Sequence, residues 1–431
     1  MHRDLLSYLD SWRDDPLRMP LILRGARQVG KSWLAKELGK RFDYFIEINF
    51  DLDADAKLLF QHTGQAQHIL TKLEFYSGQK VIAGKTLVFL DEIQECPNAL
   101  KMLRYFKEQH PELHIIAAGS LLEFLLDEIG VPVGRVQFLY VTPLSFAEFL
   151  SVSGKQHLRD YLDSKLIDPV IHKQLLEELR NYMWLGGMPA VVDAWLRYHD
   201  GERCQRLQDN LLTSYRQDFL KYARKNQVPH IEHVFMSIAQ QLGKKFKYAS
   251  IDNDIKSATL KNALALLIKA GVALPCYQSS GHALPLAANK NSRHFKIFFF
   301  DIGLLQRLLK CNLRDWVCAK MDVNYLGSLA EQLVAQEYVA YSSPSEAQEL
   351  YYWHRESKGA NAEVDFLFVK KRIYPVEVKS GIKGGMKSLH VFLKEHPHTP
   401  VGLKISQAMP GQQENIEEIP LYGLHAWLKS E

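Results

Sequence analysis

Residues Pro20–Leu38 read PLILRGARQVGKSWLAKEL, and the fold of the N-terminal third follows from them. A short apolar run (Leu21, Ile22, Leu23) leads into a glycine-punctuated loop, and Trp33, Leu34 and Leu38 leave it in a helical pattern. Gly25, Gly30, Lys31 and Ser32 spell G-x-x-x-x-G-K-S. Glycines at those places let the backbone of Ala26, Arg27, Gln28 and Val29 wrap a phosphate, and the helix start adds its positive dipole end. In such a loop the lysine reaches the β and γ phosphates and the serine hydroxyl ligates magnesium. The expected ligands are therefore ATP and Mg2+, cradled by Gly25 to Trp33. A glycine turn with a surface lysine is the bland alternative, and the strand–loop–helix context argues against it.

Working outward, KTLVFLDEIQ (Lys85–Gln94) is an apolar run closed by two acids. It reads as a buried parallel strand, whose carboxyl end is where ligands sit in open α/β sheets. Asp91 is expected to hold the magnesium and Glu92 to orient and deprotonate the attacking water. LHIIAAGS (Leu113–Ser120) is a further strand, with Ser120 at its end as a candidate contact to the γ phosphate; a serine after glycine is also a common turn. Leu100, Leu103 and Phe106 sit at helical spacing between these strands. With YFIEINFD (Tyr44–Asp51) the elements alternate β and α, which predicts a parallel sheet covered by helices.

The whole chain has 431 residues, 47% hydrophobic and 24% charged, which predicts several domains of ordinary globular composition. A net charge of +4 permits nucleic-acid binding without arguing for it. Cys96, Cys204, Cys276, Cys311 and Cys318 form no C-x-x-C pair, so neither a disulfide framework nor a zinc knuckle is expected. The first residues, MHRDLLSYLDSW, are acidic where a signal peptide is apolar, and no run is long enough to span a membrane. These features predict a cytoplasmic protein. His110 and His114 in HPELH have the spacing of helical metal ligands, but Pro111 breaks that helix.

Downstream, HKQLLEELRNYMWLGGMPAVVDAWLRYHD (His172–Asp200) is helical around a turn at Gly186, Gly187 and Pro189. Residues 231–305 read as helices followed by a strand, a basic loop and a return strand, the order of a winged helix. Lys244, Lys245, Lys247, Lys290, Arg293 and Lys296 are its candidate phosphate contacts, and solvated lysines on a packing module are the alternative. In YLGSLAEQLVAQEYVAYSS (Tyr325–Ser343) Glu331 edges an apolar helical face. NAEVDFLFVKKRIYPVEVKSG (Asn361–Gly381) reads as two strands. Alternation puts Asp365 on one face of the first, and Glu377 and Lys379 together on one face of the second. Adjacent strands would bring these charges together. Spacing alone leaves open whether they hold a divalent metal or line a solvated strand face.

The pieces LRGARQVGKS, FLDEIQ, AAGSLLEFL, GRVQFLYVTPLSFAEFL, WLGGMPAVV, FFFDIGLL and EVDFLF…YPVEVKSG occur in this order. As a set the sequence resembles prokaryotic P-loop ATPases of the AAA type that carry a C-terminal restriction-endonuclease-like domain. The resemblance implies an α/β fold: a P-loop core over residues 1–155, a helical lid over 156–225, a winged-helix module over 226–315 and a nuclease-like α/β domain over 316–431. It implies that Asp365, Glu377 and the helix acid Glu331 hold a metal, with Lys379 stabilising charge or helping to deprotonate water. It also makes Arg135 a candidate charge stabiliser, in its own subunit or a neighbour's, or else a surface ion-pair partner. The implied partners are ATP and nucleic acid, DNA first with RNA left open, and a homo-oligomer or protein partner; no membrane is implied. ATP-dependent DNA binding or protein remodelling, with a non-catalytic C-terminal domain, is the alternative function.

Overall fold

The computed structural model describes residues 2–61, 64–119, 122–129, 134–164, 168–318, 321–356 and 361–430. They divide into two compact units, Met1–Thr142 with Ser343–Ala347, and Pro143–Ser342 with Gln348–Glu431.

In the first unit the apolar runs become strands β1 (Leu21–Arg24), β2 (Tyr44–Asn49), β3 (Thr86–Asp91), β4 (His114–Ala118) and β5 (Gln137–Tyr140). They form one five-stranded sheet in the order β2-β3-β4-β1-β5, parallel throughout. Every residue of β3 and β4 is buried, because helices cover both faces of a parallel sheet. On one side Ile22, Ile46, Val88, Leu90, Ile115 and Ala117 pack against Leu70 and Leu73 of helix Ala66–Ser77 and Leu100, Leu103 and Phe106 of helix Pro97–Gln109. The chain leaves β1 for the far edge, returns through β3 to β4, and crosses over β1 to reach β5. The loop after β1 thus lies at the switch point of the sheet, where α/β ligands bind.

The second unit begins with helices Phe146–Val152, Gln156–Leu162, Pro169–Leu185, Pro189–Tyr198 and Gly201–Tyr222. Helices Val228–Gln240 and Ser257–Lys269 follow, then the antiparallel pair β6 (Ala273–Ser279) and β7 (Lys290–Phe299). Next come β8 (Leu350–Arg355), β9 (Ala362–Val364), β10 (Phe366–Val369), β11 (Ile373–Val378), β12 (Gly402–Ser406), β13 (Gly411–Gln413) and β14 (Ile416–Pro420). These build two sheets, β7-β6-β8-β9 and β10-β11-β12-β14-β13. Helix Val323–Tyr341 runs through their interior, with Leu329, Ala330 and all residues from Gln332 to Tyr338 buried.

The compact units differ from the expected divisions in two places. The segment expected to close the first domain at 155 belongs from Pro143 onward to the second unit. There the amide of Leu144 donates to Gly187 at 2.8 Å, and the amide of Phe146 donates to the buried Glu337 carboxylate. Nor does the chain separate at 315. β6 pairs in parallel with β8, Cys276 opposite Leu350, so the helix–hairpin segment and the C-terminal segment share a sheet. A strand edge left open exposes unpaired donors and acceptors, and this pairing covers it.

The Gly186–Gly187 turn has a close-approach reason. A Cβ on Gly187 would stand 2.1 Å from the Leu144 carbonyl oxygen, while the Gly187 amide donates to Asp301 at 2.7 Å. Gly186 adopts φ +75 with the same aspartate in the way of any Cβ. Gly187→Ala is expected to lower the unfolding free energy of the second unit by about 2–4 kcal/mol through this overpacking. Urea titration followed by tryptophan fluorescence checks it, with Gly385→Ala, which meets nothing within 4 Å, as the near-neutral control.

Candidate nucleotide site and carboxylate cluster

The loop between β1 and helix Lys31–Gly39 holds three left-handed residues, Gly25 (φ +128), Gln28 (φ +61) and Gly30 (φ +103). Gly25 has no room for a side chain: its Cβ would meet the Val141 carbonyl oxygen at 2.1 Å. Ala26 and Val29 point into the core, which leaves Arg27 and Gln28 at the rim and Trp33 half-buried on the helix. Arg3, buried to 2% exposure, braces the loop, its guanidinium donating to Val29 O at 2.9 Å and Thr142 O at 2.8 Å. Nothing local signals that role, since Arg3 lies far from the loop in sequence.

Lys31 is buried, and its ammonium donates to the carbonyls of Gly25 and Ala26 at 2.8 Å each. Burial pushes its pKa down to about 8, against the raising pull of Glu92 and Asp91, and the charge of Arg27 lowers it further. Ser32 Oγ donates to Asp91 Oδ2 at 2.8 Å. The two oxygen ligands assigned to magnesium from sequence are therefore in contact at the end of β3. Burial raises the Asp91 carboxyl above its ordinary value, partly offset by the Ser32 hydrogen bond. A hydroxyl and a carboxylate beside a lysine fit Mg2+, which commonly takes one or two protein oxygens and completes its shell with phosphate and water.

Glu92 stands directly after Asp91 with φ +49, a conformation that costs a non-glycine residue about 1–3 kcal/mol. Its amide donates to Asp91 Oδ1 at 3.0 Å, and its carboxylate accepts from Gln94 Nε2 at 2.6 Å. Gln94 is the residue that the motif reading passed over. It links Glu92 to the end of β4, where a Cβ on Gly119 would meet Gln94 Oε1 at 2.2 Å. Ser120, expected beside it, lies outside the described residues.

Arg135 is not brought to this site within its own chain. Gln137, at the start of β5, donates its amide to Pro20 O just before β1. Arg135 therefore sits beyond the opposite strand end from Gly25, paired with Glu108 at 3.1 Å. It is the ion-pair alternative that the structure shows.

In the second unit, the strand expected to run through Asn361–Val369 is broken. β9 joins the sheet of β8, β10 joins that of β11, and Asp365 is the joint between them. The Phe366–Val376 register carries Asp365 toward Glu377 as expected, and Asp365 Oδ2 accepts the Val378 amide at 2.8 Å. Lys379 Nζ donates to Glu377 Oε1 at 2.5 Å. What sequence reasoning missed is Lys296, assigned there to phosphates. It is 1% exposed, with Nζ 3.2 Å from Glu331, 2.7 Å from Glu363 and 3.9 Å from Asp365. Lys245 is likewise turned to His354 and Glu356, and Lys290 to Glu349, while Lys244, Lys247 and Arg293 remain exposed. Among the described residues no three acids, histidines or cysteines are disposed to hold a metal. The expected Glu331–Asp365–Glu377 set is brought together, but with an ammonium, Lys296, standing between Glu331 and Asp365.

Three family models match successive segments of the chain. Residues 17–150 match an AAA domain, residues 176–315 a domain of unknown function, DUF8612, and residues 326–423 another, DUF4143. No curated protein matches the chain. Among solved structures, a Walker-type ATPase of Pyrococcus abyssi is 18% identical with a TM-score of 0.47, over 72% of this chain and 95% of that one. The ORC1 protein of Aeropyrum pernix in complex with DNA is 12% identical with a TM-score of 0.29, over 71% and 91%. Overlaps this loose add nothing to the sequence match and the geometry. The match to an AAA domain thus covers the segment that carries the phosphate loop and the parallel sheet, and no described helix is long and apolar enough to cross a membrane.

The Lys31 environment gives a pH dependence. A phosphate contact from Lys31 would need its ammonium form, whose pKa is about 8. The kcat/KM for ATP is therefore expected to be level near neutrality and to fall as pH rises through about 8, since this ratio reports the free enzyme. Lys31→Arg, always charged, should lose that limb from its residual activity. Initial rates across neutral to alkaline pH check both.

Proposed function

We propose that the protein binds ATP and hydrolyses it with magnesium. The observation that carries this reading is the junction of Lys31, Ser32, Asp91 and Glu92 at the switch point of a parallel sheet. Loop amides from Gly25 to Ser32 and the Lys31 ammonium hold the β and γ phosphates, with Trp33 alongside the nucleotide. Ser32 and Asp91 hold the magnesium, which when bound supplies charge neutralisation at the phosphates. Glu92, oriented by Gln94, takes the proton of the attacking water. Ser120 is assigned to the γ phosphate by its place after β4. Any phosphate role for Arg135 would belong to a neighbouring subunit's site.

Three proteins test this: wild type, Lys31→Ala and Glu92→Gln. Lys31→Ala is expected to lose nucleotide binding in a fluorescent-ATP titration. Glu92→Gln is expected to keep binding while turnover falls by about 10²–10⁴, the usual worth of a positioned base. Wild-type turnover in Lys31→Ala would overturn the reading.

The second unit supports nucleic-acid binding as the coupled role. Its element order is helix Val228–Gln240, a bridge of Lys245 to Lys296, helix Ser257–Lys269, then the β6–β7 hairpin. That is the order of a winged helix, and Lys244, Lys247, Lys261 and Arg293 are exposed on it. DNA is the favoured ligand, with RNA and a protein partner as the other arms of the test. Strand cleavage at Asp365, Glu377 and Lys379 is the rival use of the C-terminal segment. The pairing of those residues supports it and the buried Lys296 opposes it. Anisotropy with duplex DNA, single-stranded DNA and RNA is expected to show salt-dependent binding to DNA. In Lys244→Glu/Lys247→Glu the log–log salt slope should drop by about 1 per lysine. Affinity unchanged by both charge reversals would remove the nucleic-acid reading. Cut strands in the same samples with magnesium, lost in Asp365→Ala, would establish the rival.

A further inference from the structure

The strongest unexplained group in the molecule is the Lys296 ammonium, which is independent of the nucleotide site. Lys296 sits on β7, yet the residues around it come from three other places: Glu331 from helix Val323–Tyr341, Glu363 from β9 and Asp365 from the β9–β10 joint. The Tyr352 ring on β8 closes the space, 5.5 Å from the ammonium. Glu377, 8% exposed, lies at the edge of the group. One of its oxygens accepts from Lys379, and the other is buried without a hydrogen-bond partner among the described residues. Burial alone would strip the charge from Lys296, but the carboxylates of Glu331, Asp365 and Glu363 outweigh it and hold the ammonium well above the usual lysine value. Four carboxylates thus face two ammoniums.

A divalent cation in such a group needs oxygen ligands drawn in to about 2.0–2.6 Å. Lys296 Nζ occupies the space among Glu331, Glu363 and Asp365, 3.2, 2.7 and 3.9 Å from them. A second cation there would meet the like charge of the buried Lys296 ammonium at contact distance. We propose that Lys296 is the resident cation of this carboxylate cluster, standing in place of a divalent metal and tying β7 to helix Val323–Tyr341 and the β9–β10 joint. The C-terminal segment then folds without metal. Removing the ammonium while keeping its volume should create a divalent-cation site that the wild type lacks.

Lys296→Met is the test, made in the full-length protein without nucleotide and compared with wild type in EDTA and in millimolar manganese. Breaking a buried ion group of this kind is expected to lower the melting temperature in EDTA by about 6–20 °C. Manganese should restore most of that loss, and Mn2+ EPR should count about one more bound ion than in wild type. Lys296→Met/Glu363→Gln, with one charge fewer to neutralise, should recover part of the stability without metal. It also serves if the single variant does not fold. Three results would overturn the proposal: Lys296→Met as stable as wild type in EDTA, no stabilisation of either variant by manganese, or a wild-type manganese site that Asp365→Asn removes.

Discussion

The second unit depends on a single requirement, that the donors and acceptors at its chain breaks be satisfied away from water. Helix Val323–Tyr341 meets it from the interior. Gln332 closes a two-way clamp on Phe299, accepting its amide at 2.8 Å and donating to its carbonyl at 2.6 Å. Gln336 accepts the Ile302 amide at 2.8 Å and donates to Tyr182 Oη at 2.7 Å. Glu337 accepts the Phe146 amide and the Tyr182 hydroxyl. One helix thereby fixes the end of β7, the start of the helix at Ile302 and the segment entering the second unit. Each unmet partner would cost about 1–3 kcal/mol, so these polar side chains on a buried helix are constraints as firm as any apolar contact.

The same logic runs through the charged residues nearby. Burial raises the Glu337 carboxyl to about 7, against the hydrogen bonds it accepts from Tyr341, Phe146 and Tyr182. Burial raises Asp301 to about 6, against hydrogen bonds from Leu304, Gly187 and Gly303. Lys296 differs because three acidic side chains, Glu331, Glu363 and Asp365, stand against its ammonium. In the first unit the corresponding device is smaller. Lys31 is satisfied by loop carbonyls and Ser32 by Asp91, so a nucleotide-shaped cradle keeps its polar groups paired within the loop itself.

Much of the first unit was legible because its signals are local. G-x-x-x-x-G-K-S between an apolar run and a helix demands left-handed φ angles and a helix start within a few residues, and Gly25 and Gly30 have them. LVFLDE announces a buried strand with acids at its carboxyl end, where Asp91 meets Ser32. Arg3 and Gln94 were not legible: one acts through backbone atoms distant in sequence, the other through a packing contact with Gly119.

For the C-terminal segment, period-two alternation placed Asp365 toward Glu377 correctly, because the register of a hairpin follows from the turn between its strands. It could not show the sheet switch at Asp365, nor that a lysine on β7, in a stretch that reads as a basic wing, would turn inward. Sequence by itself determined the phosphate loop, the parallel sheet and the charged pair at the end of β11, all set by spacing along one strand or turn. Tertiary structure alone decided the direction of Arg135, the shared sheet of β6 and β8, and the partners of Lys296. Burial of a charge is decided by what other segments bring to it, and in this chain those segments are far apart in sequence.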